Sequence, residues 1–129
     1  MKRIEKEELV AAIKARKPGE RLSFKEKELW DMDLTGMDLS GMDFVLSSFQ
    51  NTVLDGVNFE GSSVENSLFD GCSLHGVNFK NANMRTASFR GCDLADSNIE
   101  GANLFGAVLE RADLNGVRFD EQTRWFRMH

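Results

Sequence analysis

Residues 54–59 read Leu54-Asp55-Gly56-Val57-Asn58-Phe59, and twenty positions on Leu74-His75-Gly76-Val77-Asn78-Phe79 nearly copies them. Working outward from this pair, an apolar residue returns at every fifth position from Leu34 to Phe119 without a slip. Two residues before each stands a small residue or Met, as at Met32, Met37, Cys72, Val77, Ala112 and Val117. Two residues after each, glycine dominates, and ten of the chain's eleven glycines fall at that phase. A helix would smear positions five apart around its circumference, and a strand needs a period of two. Within each pentad the pattern is locally of period two, so the small and the central apolar residue share one face of an extended segment. The glycine, or Asn51, Asn66 and Asn81 at equivalent places, supplies a corner where positive φ is cheap. Each pentad is therefore a very short strand and a turn. Such a unit cannot bury its apolar face alone, so the units must coil and stack.

The spacing of twenty sets how many pentads close one turn. Leu34, Leu54, Leu74, Leu94 and Leu114 form one column, and Leu39, Phe59, Phe79, Ile99 and Phe119 the next. Four pentads per coil give a square cross-section. About four and a half coils stacked at about 4.8 Å make an all-β rod roughly 22 Å long. The rod is expected over residues 30–120, between an N-terminal helical capping segment (1–29) and a C-terminal capping segment (121–129).

The residues resemble the pentapeptide-repeat family, whose motif is Ala-(Asp/Asn)-Leu-X-X. Ala82-Asn83-Met84, Ala102-Asn103-Leu104-Phe105-Gly106 and Ala112-Asp113-Leu114-Asn115-Gly116 carry the likeness. The resemblance implies a right-handed quadrilateral β-helix. Met32, Met37 and Met42 depart from the motif's small position, which predicts a wider or partly open first coil. The family has no shared activity, so the resemblance implies little about function.

At 129 residues the protein reads as one domain. The charged start Met1-Lys2-Arg3-Ile4-Glu5-Lys6-Glu7-Glu8 does not suit a secretory signal. A soluble cytoplasmic protein, off the membrane, is the expectation. Cys72 and Cys92 share the inward column one coil apart and read as reduced packing thiols. Parallel stacking suits a disulfide poorly, and His75, at an outward phase, cannot converge with them on a metal. Neither a metal nor a cofactor is expected. The net charge of −5 is divided: residues 1–30 carry nine Lys/Arg against six Glu, residues 31–121 five against fifteen Asp/Glu. An acidic rod on a mildly basic cap argues against direct binding of nucleic acid.

Both ends of a solenoid need covering. A helix is expected from about Arg3 to Arg16, stopped by Pro18-Gly19, with Leu9, Val10 and Ile13 as its apolar stripe. Lys27 breaks the small-residue position, so the regular coil is expected to start near Leu29 or Leu34. At the other end Trp125, Phe126 and Met128 are expected to fold over the last rung.

The outward residue after each central position forms rings. Asp55, Glu60, Glu65 and Asp70 make an acidic ring, and His75, Lys80, Arg85 and Arg90 a basic one above it. Opposite signs on all four faces predict a ladder of cross-strand pairs that also discourages a slip of one coil. Val45, Leu46, Leu68, Phe105 and Val108 break the polar outward rule and fall near the corner between the third and fourth faces, a candidate contact site. The inward serines Ser47, Ser62, Ser67 and Ser97 have no base beside them, and a convex rod offers no obvious pocket, so no enzyme is expected. Two functions follow. One is an adaptor, monomeric or weakly dimeric, that binds a protein partner. The other is a DNA mimic, because some members of the resembled family match B-form DNA in width and charge, bind DNA gyrase and confer quinolone resistance.

Overall fold

The structure, a computed structural model, describes residues 1–125. Its backbone bonds explain the pentad. Residue i, the central apolar one, donates its N–H to the carbonyl nineteen residues ahead, as Leu34 does to Val53 (2.8 Å). Residue i+2 does the same, as Gly36 does to Asp55 (2.9 Å), while residue i−1 reaches back, as Val53 does to Met32 (2.8 Å). Residue i−2 closes a tight turn, as Met37 does onto Leu34 (3.0 Å). Parallel bridges therefore join residues twenty apart, from Ser23↔Asp43 to Asn98↔Arg118. This is a β-helix in which each turn takes four pentads. The faces are named here by their central columns: first (34, 54, 74, 94, 114), second (39, 59, 79, 99, 119), third (24, 44, 64, 84, 104) and fourth (29, 49, 69, 89, 109).

One N–H per pentad, that of residue i+1, remains outside the ladder. Asp or Asn at i−1 takes it: Asp33 accepts from Thr35, Asn78 from Lys80 and Asn98 from Glu100, at 2.9–3.0 Å. The acidic or amide residue of the repeat is thus an Asx cap that folds the backbone into its corner. At the corner every i+2 residue from Glu26 to Gly116 has positive φ, including nine that are not glycine.

Inside, the central residues from Leu29 to Leu104 are buried. Phe49, Phe69 and Phe89 stack at 4.6 and 4.9 Å between centroids, and Phe59 on Phe79 at 4.9 Å, with edge-to-face contacts between the two columns. Burial of that kind contributes about 1.5–3 kcal/mol per side chain. Met32 and Met42 are buried and Met37 partly so. The first coil is filled and not open, since the flexible thioether takes up the space that alanine leaves elsewhere.

The ends differ from the sequence expectation. Strand β1 (Lys2–Arg3) pairs in parallel with β2 (Lys27–Glu28), so the protein's start is strand where helix was expected. Helix α1 spans Lys6–Ala15 and seals the first rung with Leu9, assisted by Ile13. The Glu5 N–H is capped by Glu8 at 3.3 Å. Rung geometry begins at Ser23 and not near residue 30, because the backbone needs only Phe24 and Leu29 inward and tolerates Glu26 at the corner. At the far end Leu109 and Leu114 are partly buried and Phe119 is 59 % exposed, edge-to-face with Trp125 at 5.4 Å. Leu114 and Phe119 are therefore not full core positions, since no complete rung among the described residues lies beneath them. Trp125 is partly buried against the core; Phe126 and Met128 lie outside the described residues. Among those described, no helix is long and apolar enough to cross a membrane.

Candidate protein-contact surface

The third-to-fourth corner is built from three outward phases: Val45, Glu65, Arg85 and Phe105; then Leu46, Asn66, Thr86 and Gly106; then Ser48, Leu68, Ser88 and Val108. Leu46 and Leu68 are each 44 % exposed, while Val45, Phe105 and Val108 are half-buried. Phe105 lies under the Arg85 guanidinium, 5.3 Å from the ring centroid, which covers part of the surface expected to be bare. Leu46 is the more telling residue. It has φ +61° and is the single apolar side chain among the nine non-glycine residues at positive φ. Leucine in the left-handed region costs roughly 1–2 kcal/mol, and at this corner the side chain is still left 44 % exposed.

The fourth face shows a second departure. Its i−1 residues are Glu28, Ser48, Leu68, Ser88 and Val108, with no Asp or Asn among them. The N–H groups of Gln50, Asp70, Arg90 and Glu110 consequently have no protein acceptor among the described residues. Ser88 Oγ, buried between Leu68 and Val108 in the bridge column, also has no partner. Together these place an apolar edge beside open backbone donors.

The charge rings pair on two faces and not on four. Arg85 meets Glu65 at 3.6 Å, and Arg90 meets Asp70 at 3.8 Å and Glu110 at 3.1 Å. Glu60 instead accepts from Asn78 Nδ2 at 3.4 Å, leaving Lys80 with no ion pair among the described residues. His75 turns to Asp96 and Asp93 at 3.4 and 3.8 Å, while Asp55 accepts the His75 backbone N–H at 3.0 Å. On the second face the Asn78 amide, also bonded to Asn58 at 3.2 Å, competes for Glu60, and on the first the Ser73 hydroxyl and the His75 backbone N–H occupy Asp55.

Apart from Ser97, the inward hydroxyls and thiols bond the backbone. Ser47 and Ser67 donate to the Phe24 and Phe44 carbonyls at 2.6 Å, and Ser62 to Phe59 at 2.7 Å. Cys72 and Cys92 follow the same rule toward Phe49 and Phe69, each at 2.9 Å. Both are free. Burial pushes the Cys72 thiol up, and burial with the neighbouring Cys72 pushes Cys92 to about 12. Ser97 Oγ is buried without a partner. None of these positions presents a nucleophile to solvent. Among the described residues no group of His, Cys, Asp and Glu is arranged to hold a metal ion.

One feature had no signal in the repeat. A groove of about 1040 Å³ lies where residues 16–21 overhang the second-to-third corner. Its arginines are already engaged, Arg16 with the Ser40 carbonyl at 2.8 Å and Arg21 with that of Gly41 at 3.2 Å. Anchoring the overhang is their visible role.

Residues 42–119 match the pentapeptide repeat region, and the chain belongs to the pentapeptide-repeat family. The rod is accordingly the right-handed β-helix of that family. A pentapeptide repeat protein of the Arabidopsis thaliana thylakoid lumen is 29 % identical with a TM-score of 0.64, over 67 % of this chain and 60 % of that one. This chain thus spans three-fifths of the plant protein's length. A pentapeptide repeat protein from Nostoc PCC 7120 is 24 % identical with a TM-score of 0.44, over 98 % of this chain and 89 % of that one. QnrB1, a plasmid-mediated fluoroquinolone resistance protein, is 16 % identical with a TM-score of 0.26, over 77 % of this chain and 83 % of that one. That score leaves the resistance role with QnrB1. No curated protein sequence matches the chain.

Proposed function

We propose that this protein is a non-catalytic interaction module that docks a protein partner along its third-to-fourth corner. The observation that carries the reading is Leu46, an exposed leucine held in a left-handed corner where the repeat elsewhere uses Gly, Asn, Thr or a charged residue. Strain retained at an exposed position points to use rather than packing. Leu68 continues the apolar strip, with Val45, Phe105 and Val108 at its margins. The discriminating variants are Leu46→Asn and Leu68→Ser, both residue types the repeat already uses at these phases. Capture of the partner from cell extract should be lost while the melting temperature holds or rises. Unimpaired capture by the folded double variant would remove the corner from the interaction.

The acid balance of residues 31–121 favours a second reading, a DNA mimic acting on gyrase or another DNA-binding protein. Such a mimic presents negative potential, and its affinity falls steeply with salt. Arg85 and Arg90 interrupt that potential on the two faces beside the corner, so the adaptor ranks first. A salt-sensitive, dose-dependent block of gyrase supercoiling by the unmodified protein would reverse the order.

A further inference from the structure

We infer that Asn115-Gly116 is a built-in site of spontaneous deamidation and isoaspartate formation, at a corner whose glycine N–H has no partner among the described residues. The reaction requires a free backbone nitrogen after the asparagine. The Gly116 nitrogen attacks Asn115 Cγ as it gives up its proton, and the new N–Cγ bond closes a five-membered imide. The Cγ–Nδ2 bond of the asparagine amide breaks and releases ammonia. Water then opens the ring at either carbonyl and leaves aspartate or isoaspartate at position 115. No oxidant or reductant is needed.

Three Asx-Gly steps occupy the same corner phase: Asp55-Gly56, Asp70-Gly71 and Asn115-Gly116. In the first two the glycine N–H is held by the rung ahead, Gly56 by the His75 carbonyl and Gly71 by that of Arg90, each at 2.9 Å. A nitrogen committed in that way is not available to close the ring. Gly116 would need an acceptor nineteen residues ahead, and its N–H has no partner among the described residues. Its neighbours remain tied: Asn115 donates to Asp113 Oδ1 at 3.0 Å, Val117 to the Leu114 carbonyl at 3.1 Å, and Asp96 to the Asn115 carbonyl at 2.9 Å. The corner is thus held in place with its one reactive nitrogen open. Both residues are exposed, and glycine adds no Cβ to hinder the attack. The product puts a further carboxylate beside Asp96 and Asp113, both of which are hydrogen-bonded to the Asn115 backbone. An isoaspartate also lengthens the backbone at this corner.

The test is a timed incubation of the full-length protein at mildly alkaline pH, folded and in denaturant, followed by peptide mapping. Isoaspartate is read independently by methyl transfer from S-adenosylmethionine with an L-isoaspartyl carboxyl methyltransferase as the probe. Position 115 should gain the mass of an amide-to-acid change in the folded protein as well as in denaturant. Positions 55 and 70 should form isoaspartate only in denaturant, and Asn115→Gln should abolish methyl acceptance by the folded protein. An Asn115 that converts in denaturant but stays intact in the folded protein would overturn the inference. So would isoaspartate at 55 or 70 appearing as fast as at 115 without denaturant, or unchanged methyl acceptance in Asn115→Gln.

Discussion

On the second face Asp38, Asn58, Asn78 and Asn98 run down the bridge column, each folding its own corner, with an amide ladder between the stacked side chains. On the fourth face the same column reads Ser48, Leu68, Ser88 and Val108, and the corner N–H groups are left without protein acceptors among the described residues. Beneath both lies the same interior of stacked phenylalanines, Phe59 on Phe79 and Phe49, Phe69 and Phe89 in series. The core therefore does not distinguish the faces. What distinguishes them is whether the outward residue caps the corner N–H or leaves it open, and a rod with a uniform interior can change one without the other.

Equivalence of the interiors can be broken most severely by truncation. Phe69→Ala and Phe79→Ala should each cost about 3–5 kcal/mol, read as a lower urea midpoint. A large gap between them would show that the faces are not alike inside. A smaller effect concerns the thiols over the fourth-face carbonyls. Folding raises the Cys92 thiol from its usual 9.0 to about 12, so its stabilisation is complete below pH 9 and is lost as the pH climbs toward 12, where the unfolded protein ionises first. Cys92→Ser, which restores a hydroxyl like Thr52 in the same column, should flatten that alkaline decline in denaturation curves.

The exteriors separate at lower energy. Asn78→Ala removes the cap on Lys80 and the bond to Asn58, and should destabilise by about 1–2 kcal/mol. Ser88→Ala removes a hydroxyl without a partner and should be neutral or slightly stabilising, a contrast measurable by paired chemical melts. Leu46→Asn should raise stability by roughly 0.5–1 kcal/mol through relief of the left-handed backbone. A fall in its melting temperature would show that the leucine supports the fold. The smallest difference is electrostatic: Arg90→Gln loses pairs with Asp70 and Glu110 and should cost up to about 1 kcal/mol at low salt. Lys80→Gln on the second face, where no ion pair exists among the described residues, should be silent by the same measurement.

The rod is readable because its period is stated many times over. Every central residue from Leu34 to Leu104 repeats one instruction, and stacking makes each copy test its neighbours. The ends carry the instruction once. Lys27 and Glu26 look wrong by composition, yet the backbone tolerates both, so the start at Ser23 is not legible. Phe119 keeps the apolar pattern and still stands exposed, because burial depends on a following rung that pattern alone does not supply. The corner hydrophobes are visible as breaks in polarity. Leu46 can be seen as apolar, but its strain requires a dihedral angle. Sign alone overstates the pairing in the charge rings, because it ignores the competing amides of Asn58 and Asn78.

Because bridged residues lie twenty apart, length in this protein is added in quanta with different meanings. Inserting five residues between Leu68 and Phe105 would turn everything after them by a quarter of the square. Phe105 and Val108 would leave the edge they share with Leu46 and Leu68, though every core position would still find an apolar neighbour. Inserting twenty would keep the edge in line and lengthen it by about 4.8 Å. Duplication in such a fold is thus a ratchet with two settings. One reshuffles which residues share an edge, and the other stretches an edge that already exists.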